Sequence, residues 1–400
     1  MAVSANGGFH PINLDDYEAT AKERLTTQAH GYFSSGANDQ WTLRENREAF
    51  NRIRLRPRVL NDVSKVNLNT SILGHTSTMP VLVAPTGMQK LAHPEGETAT
   101  ARAAREVGVP MTLSTMSTTP LEEVAESSGK GLRFFQLYVF QQRELTVQLI
   151  KRAEAAGYSA IVLTVDVPAM GRREADLRNH FTLPPHLTLA NFDEETHGAT
   201  RLCGAREAAR DGSGGDFGLA DTKSALSAYV NSMYDGSLTW KTIDWLKSIT
   251  ALPVIVKGIM TPEDALLARE HGVSAIWVSN HGGRQLDGVD APITVLPSIK
   301  QALAEKPVME SHFRMPTRMA IWVDGGVRRG SDILKALALG ADMVAVGRPV
   351  LWGLACGGQQ GVVDVLSMIR EELTLAMKLA GCNDVKKVSR QLVRLAHEPV

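Results

Sequence analysis

The sequence predicts an α/β protein built as a (β/α)8 TIM barrel, on three observations. Short β-branched apolar runs recur along the 400 residues, most intervals between them carry helical periodicity, and nearly every run ends on a polar residue or a glycine. Eight runs stand out, at 79–85, 110–115, 133–138, 160–166, 253–258, 275–280, 319–326 and 342–349. Near-continuous apolar runs suit parallel strands buried on both faces. The intervals ETATARAAREVG, TPEDALLAREHG and GSDILKALALGA fit helices, with Gly272 and Gly340 where C-caps belong. Alternation of this kind favours a closed barrel as one domain spanning residues 1–400.

The block before residue 75 is read as an N-terminal helical extension. LDDYEATAKERL and DQWTLRENREAFNRI have helical period and are expected to cap the bottom or flank of the barrel. One interval breaks the rhythm, with 86 residues between Asp166 and Pro253. An insertion over about 167–240 is read as a long lid loop after strand 4, rich in Gly, Asp, Thr and Ser at 191–224. A lesser insertion at 306–318 precedes the seventh strand and is read as peripheral, and the tail from about Gly361 as the eighth helix and a terminal extension.

Composition narrows the function. Lys and Arg number 43, as do Asp and Glu, and zero net charge argues against nucleic acid as a partner. Cys203, Cys356 and Cys382 are scattered, so neither a disulfide framework nor a metal site is expected. The N-terminus lacks the charge and apolar core of a secretory signal, and no apolar stretch approaches the roughly 18 residues of a membrane span. The C-terminus reads HEPV, not Ser-Lys-Leu. A cytoplasmic enzyme is the expectation, with a peroxisomal one left open.

Barrel enzymes work at the C-terminal ends of their strands. Here those ends carry Thr86 and Gly87, Ser114, Gln136 and Tyr138, Thr164 and Asp166, Lys257, Ser279 and His281, then Asp324, Gly325, Gly326 and Arg328, and Gly347 with Arg348. DGGVRRG and GRP follow the seventh and eighth strands, where barrels often hold phosphate. Glycines let backbone approach an anion and arginine grips it bidentately, although tight turns with surface arginines would look the same. His281 lies three residues before Arg284, a spacing that suits proton abstraction beside a held carboxylate. Asp166 could orient that imidazole or merely cap a loop. Of adjacent Arg172 and Arg173, one is expected to face inward. Lys257 could form a Schiff base or supply fixed charge.

SNHGGRQLDG, VIVKG, LTVDVP followed by GRREAD, RFFQLYV, APTGMQKLAHPEGE and DGGVRRGSDILKALALGADMVAVGRPV resemble the FMN-dependent 2-hydroxy-acid oxidases and dehydrogenases, with glycolate and L-lactate oxidases as the nearest branch. The likeness runs from about Leu14 to Arg390. It implies an FMN flavoprotein that oxidises (S)-2-hydroxy acids, with oxygen as acceptor and hydrogen peroxide as product. It implies His281 as base and Asp166 as its partner. Tyr32, Tyr138, Arg173 and Arg284 would bind substrate. Pro85, Thr86, Gly87, Ser114, Gln136, Thr164, Lys257, Ser279, Asp324, Gly325, Gly326, Arg328, Gly347 and Arg348 would bind the cofactor, which sets Lys257 beside the flavin and against a Schiff base. A homotetramer or homo-octamer is implied as well.

The same resemblance leaves rivals. A dehydrogenase of this fold would pass electrons to a quinone or cytochrome, but no haem domain precedes Leu14 and the lid lacks an apolar anchor. A barrel keeping FMN without catalysis would not need the full set of His281, Arg284, Arg173, Tyr138 and Lys257. Two departures bear on substrate. Gly87 stands where the oxidases often carry Ala, and Met116 where glycolate oxidases usually carry Trp. Flexible Met116 tilts the expectation toward lactate or a longer acid.

Overall fold

A computed structural model of the chain describes residues 9–192, 233–305 and 319–396. Most of the lid read at 191–224, and the whole insertion at 306–318, lie outside the described residues.

All eight apolar runs become strands of one closed parallel barrel: β1 (Val81–Val83), β2 (Met111–Leu113), β3 (Arg133–Leu137), β4 (Ile161–Thr164), β5 (Val254–Ile259), β6 (Ala275–Val278), β7 (Ala320–Val323) and β8 (Met343–Val346). Each pairs with the next and β8 returns to β1, as Val344 opposite Val81. Residues alternate across the wall. Leu82, Phe134, Val162, Ile255, Trp277 and Trp322 form one fully buried cluster, while Val83, Phe135, Leu163, Val256, Val278 and Val323 belong to a second, shared with the helices. Across neighbouring strands Lys257 lies opposite Trp277, and Trp277 opposite Trp322.

Three helices come first, α1 (Leu14–Arg24), α2 (Thr27–Ser34) and α3 (Trp41–Glu48). The barrel helices are α4 (Gly96–Val107), α5 (Leu121–Ser128), α6 (Arg143–Ala155), α7 (Lys241–Ile249), α8 (Pro262–Glu270), α9 (Pro292–Glu305), α10 (Gly330–Ala338) and α11 (Arg348–Leu379). α11 begins thirteen residues earlier than the sequence reading put it (348 against 361) and bends at Gly357–Gly358, whose backbone is not helical.

The extension departs from expectation in two ways. It is not helical to residue 75: short strands occupy Ile53–Leu55, Thr70–Ile72 and His75–Ser77. The last two form a hairpin turning at Leu73 and Gly74, both with positive φ, and its Ile72 plugs the apolar end of the barrel. Nor does α3 cap the bottom or flank, whereas α1 does pack on the flank, against α11; α2, which the sequence reading leaves unassigned, lies with α3. These two sit on the opposite rim, because α3 is fastened to the loop after β6: Asp287 accepts from the backbone N–H groups of Trp41 and Thr42, at 3.2 and 2.7 Å.

Candidate active site

The chain leaves β6 through Ser279 and Asn280 into an unusual turn. His281, Gly282 and Gly283 have φ of +57°, +65° and +75°, three successive left-handed residues. Such a φ costs a non-glycine residue on the order of 1–2 kcal/mol, so the contacts of His281 must offset it. Its N–H donates to Ser279 Oγ at 3.1 Å, and its Nδ1 lies 2.9 Å from Asp166 Oδ1, at the end of β4. With Nδ1 donating to the carboxylate, Nε2 keeps the free lone pair. At Gly283 a Cβ would stand 2.7 Å from the backbone N of Leu43, so the turn lets α3 close on it.

Burial holds His281 below its ordinary pKa, and the Lys257 and Arg173 charges add to this while Asp166 opposes it; the imidazole is a neutral base at neutral pH. Burial alone would raise Asp166, but the hydrogen bond from His281 and the Lys257 charge hold it down as a carboxylate.

Lys257 points from β5 into the mouth. Its Nζ donates to Ser279 Oγ at 2.8 Å and lies 3.3 Å from Asp324 Oδ2. One serine hydroxyl thus fixes both the turn that carries His281 and the buried Lys257 side chain. Gln136 bridges β2, β3 and β4, accepting from Thr115 N at 3.0 Å and donating to Thr164 Oγ1 at 3.1 Å.

Arginines crowd the other side. Arg173 is buried and Arg172 exposed, in line with one facing inward. Arg284 lies over the Tyr32 ring, 4.9 Å from its centroid, and donates to the carbonyls of Tyr32 and Ser35. Arg348 donates to the carbonyls of Phe33, Gly282 and Ser35 at 2.9, 3.0 and 3.0 Å, so most of its donors tie α2 to the rim. Arg328 Nε stays 3.6 Å from Glu18, beyond a hydrogen bond. Burial first, and mutual repulsion second, push Arg284 down to about 10 and Arg348 down to about 9. Cations so placed favour anionic ligands.

Every residue singled out for the site lines one cleft, except Asp166 and Ser279, which stand behind His281 and Lys257. The cleft also shows what sequence reading missed. Tyr234, Met170 and Leu189 line it. Gln285 joins the loops after β4 and β6, donating to the carbonyls of Asp166 and Ala169 and accepting from Gly171 N. Buried Glu97 accepts from Gln89 N, Thr118 N and Thr119 Oγ1 at 2.9, 2.9 and 2.8 Å, and Gln89 donates to Thr86 Oγ1. That carboxylate pins the loops after β1 and β2. Gln285 has a local signal in its place within SNHGGRQLDG, as Gln89 and Glu97 have in theirs within APTGMQKLAHPEGE, while Tyr234, Met170 and Leu189 lie outside the quoted motifs.

Gly87 has a reason here. A Cβ on it would meet the Met116 carbonyl at 2.9 Å and Met116 Cβ at 3.2 Å, so this backbone and an alanine conflict.

A family model, FMN-dependent dehydrogenase, matches residues 21–395. The chain belongs to that family. It is 50% identical over 380 residues to glycolate oxidase of Spinacia oleracea, covering 94% of each chain, and 50% identical over 383 residues to glycolate oxidase 3 of Oryza sativa subsp. indica, covering 95% of each. Among solved structures it resembles mandelate oxidase, with a TM-score of 0.82, 39% identity and coverage of 96% of this chain and 99% of the other. A mandelate oxidase variant with (S)-mandelic acid superposes with a TM-score of 0.81 at 38% identity, over 98% and 100% of the two chains. FMN is the cofactor, and the class is that of FMN-dependent 2-hydroxy-acid oxidases.

The residues fit FMN. Asp324 Oδ1 is buried without a hydrogen-bond partner among the described residues, a ready acceptor for ribityl hydroxyls. Arg328, its side chain 11% exposed, stands at the phosphate position barrels favour and lines the same cleft as Gly347, which precedes α11. At Gly326 a Cβ would stand 1.8 Å from the Asn46 carbonyl, so glycine lets α3 lie directly on that loop.

Proposed function

We propose that the chain oxidises (S)-2-hydroxy acids to 2-oxo acids with oxygen as acceptor, giving hydrogen peroxide. One observation carries the reading: a neutral imidazole, its Nδ1 held by a buried carboxylate, shares a cleft with Arg173 and Arg284. FMN, when bound, supplies the two-electron acceptor that no side chain provides. Asp324, Gly325, Gly326, Arg328, Gly347 and Arg348 hold its ribityl and phosphate. Pro85, Thr86, Gly87, Ser114, Gln136, Thr164 and Lys257 would hold its ring, and Ser279 holds Lys257. Arg173 and Arg284 grip the substrate carboxylate and fix the pose of C2. Tyr32 adds a hydrogen bond to that carboxylate and Tyr138 one to the C2 oxygen. His281 Nε2 takes the proton, and Asp166 stabilises the imidazolium that results. Met116, Met170 and Leu189 leave an adaptable apolar wall, which supports lactate or longer acids over glycolate alone.

An anaerobic titration with glycolate, L-lactate, 2-hydroxyoctanoate and L-mandelate tests this. The yellow band bleaches with at least one of them, and in air one oxygen disappears per 2-oxo acid formed. No bleaching by any acid would sink the reading, and bleaching with sluggish oxygen uptake would turn it to a dehydrogenase. His281→Ala keeps the yellow colour and loses turnover; undiminished kcat would remove the base.

The assembly proposed is a homotetramer or homo-octamer. Exposed Val59 and Leu60 support it, on a loop fastened to Ala380 and Gly381 just past exposed Leu375 and Leu379. Light scattering that returns a monomer would overturn it.

A further inference from the structure

Asp166 opens the loop after β4 and Arg173 closes it, while His281 and Arg284 lie in the loop after β6. β4 and β6 are not neighbours in the barrel, since β5 stands between them, so strand pairing does not set one loop against the other. One side chain joins them. Gln285 Nε2 donates to the carbonyls of Asp166 and Ala169 at 3.1 and 2.8 Å, and Gln285 Oε1 accepts from Gly171 N at 3.1 Å. Arg173 Nη2 reaches the same Oε1, and Arg173 Nε the Arg284 carbonyl, both at the long distance of 3.5 Å. Both N–H groups of the amide are thereby used, and its oxygen faces donors alone. The backbones touch as well: a Cβ on Gly171 would stand 2.4 Å from the Arg284 carbonyl oxygen and 2.7 Å from Gln285 Cα. Asp166 needs such an anchor. Its Oδ1 is spent on the imidazole it must orient, and its Oδ2 is buried with no hydrogen-bond partner among the described residues.

We propose that Gln285 is a positioning residue for the oxidation: its amide holds the loop after β4 on the loop after β6, and so sets Asp166 against His281 and Arg173 beside Arg284. This rests on the reading of the cleft as a 2-hydroxy-acid site. Gln285 is not among the residues lining the cleft and acts through those it holds. Fixing the Asp166 and Ala169 carbonyls fixes the Cα from which the carboxylate reaches Nδ1, and with it the tautomer and direction of the imidazole. Fixing Gly171 N, and resting Arg173 on the same oxygen, sets the spacing of the two guanidinium groups. That spacing decides where a bound carboxylate sits, and therefore where C2 stands relative to Nε2. The residue type follows from the partners. Glutamate would turn a carboxylate on two carbonyls, and asparagine is one methylene too short to reach both loops.

The test uses the FMN-loaded enzyme, with every quantity taken per molecule of bound flavin, in five forms: unaltered, Gln285→Met, Gly171→Ala, Asp166→Asn, and Asp166→Asn combined with Gln285→Met. Methionine keeps the length of the side chain and removes its hydrogen bonds, whereas alanine at 171 pushes the loops apart with the amide intact. Two quantities are read without oxygen: the limiting rate at which the best acid bleaches the flavin, and the dissociation constant of oxalate from the perturbed flavin spectrum. Oxalate offers a carboxylate to the arginines and has no C–H, so it binds without turnover. Gln285→Met should slow bleaching about tenfold and weaken oxalate about three- to tenfold, and Gly171→Ala should move both in the same sense. In the Asp166→Asn background Gln285→Met should slow bleaching by no more than about twofold, because the carboxylate it positions is gone. A purely structural role would lower the melting temperature or the FMN content and leave both quantities unchanged, which would overturn the proposal. So would the full slowing retained in the Asp166→Asn background, failure of both Gln285→Met and Gly171→Ala to load FMN, or an unaltered enzyme blind to oxalate. An unaltered enzyme that no hydroxy acid bleaches would sink the reading of the cleft itself, and that outcome is seen without any variant.

Discussion

The two ends of the barrel are built from the same strands and obey opposite rules. Toward the hairpin plug the inward positions are Phe134, Val162, Ile255, Trp277 and Trp322, all fully buried. Two residues further along each strand the same inward row reads Gln136, Thr164, Lys257, Ser279 and Asp324. The lower layer holds itself by packing, with Trp322 stacked on Phe134 and edge-on to Trp277, both at 5.5 Å between centroids. The upper layer holds itself by hydrogen bonds and charge, and Asp324 Oδ1 is left over. One pleat of the strand therefore separates stability from chemistry, and the orphaned acceptor at the mouth is completed by a ligand instead of by the fold.

That separation is sharpest at Asp166. Asparagine there no longer enforces the tautomer with Nδ1–H, and no longer stabilises the imidazolium. We expect Asp166→Asn to lower kcat roughly 10²–10⁴-fold while the unfolding free energy in urea moves by less than about 1 kcal/mol. A kcat within threefold of the parent would break the comparison on the mouth side.

The lower layer should answer in reverse. Trp322→Ala deletes a fully buried side chain and should cost about 3–5 kcal/mol of stability, read as a fall in the urea midpoint. Per folded, FMN-loaded molecule, kcat should stay within a few-fold of the parent. A large loss of kcat in molecules still folded and loaded would mean that the two layers do not act separately.

What the sequence discloses follows the same division. The eight strands are legible because burial on both faces demands runs such as AIVLTVD and AIWVSN, which no helix or loop requires. The strand-end residues are legible because the pleat carries them into one mouth once the barrel is assumed. The rim is different. That Asn46 must lie against Gly326, or Leu43 against Gly283, is a contact between segments far apart in the chain, and neither partner advertises it. Hence α2 went unread and α3 was expected at the wrong end. The hairpin at 70–77 is three residues per strand, too short to show a period. Tyr234 lies in a stretch read as lid, and Glu97, although within APTGMQKLAHPEGE, reads locally as one more helix acid; their partners give them meaning.

The smallest effect tests the electrostatics of the mouth directly. Burial is the largest influence on His281 and lowers its pKa, with Lys257 and Arg173 acting in the same sense. As the proposed base, His281 works only when neutral, so kcat/KM should be flat near neutral pH and fall as pH drops through a midpoint below the usual imidazole value of about 6.5. Asp166 is the partner that raises the imidazole. Asp166→Asn should therefore move that acid limb to still lower pH, even as it lowers the plateau. A limb that moves upward in the variant, or one already centred above the usual value in the parent, would mean that paired charge outweighs burial at this histidine.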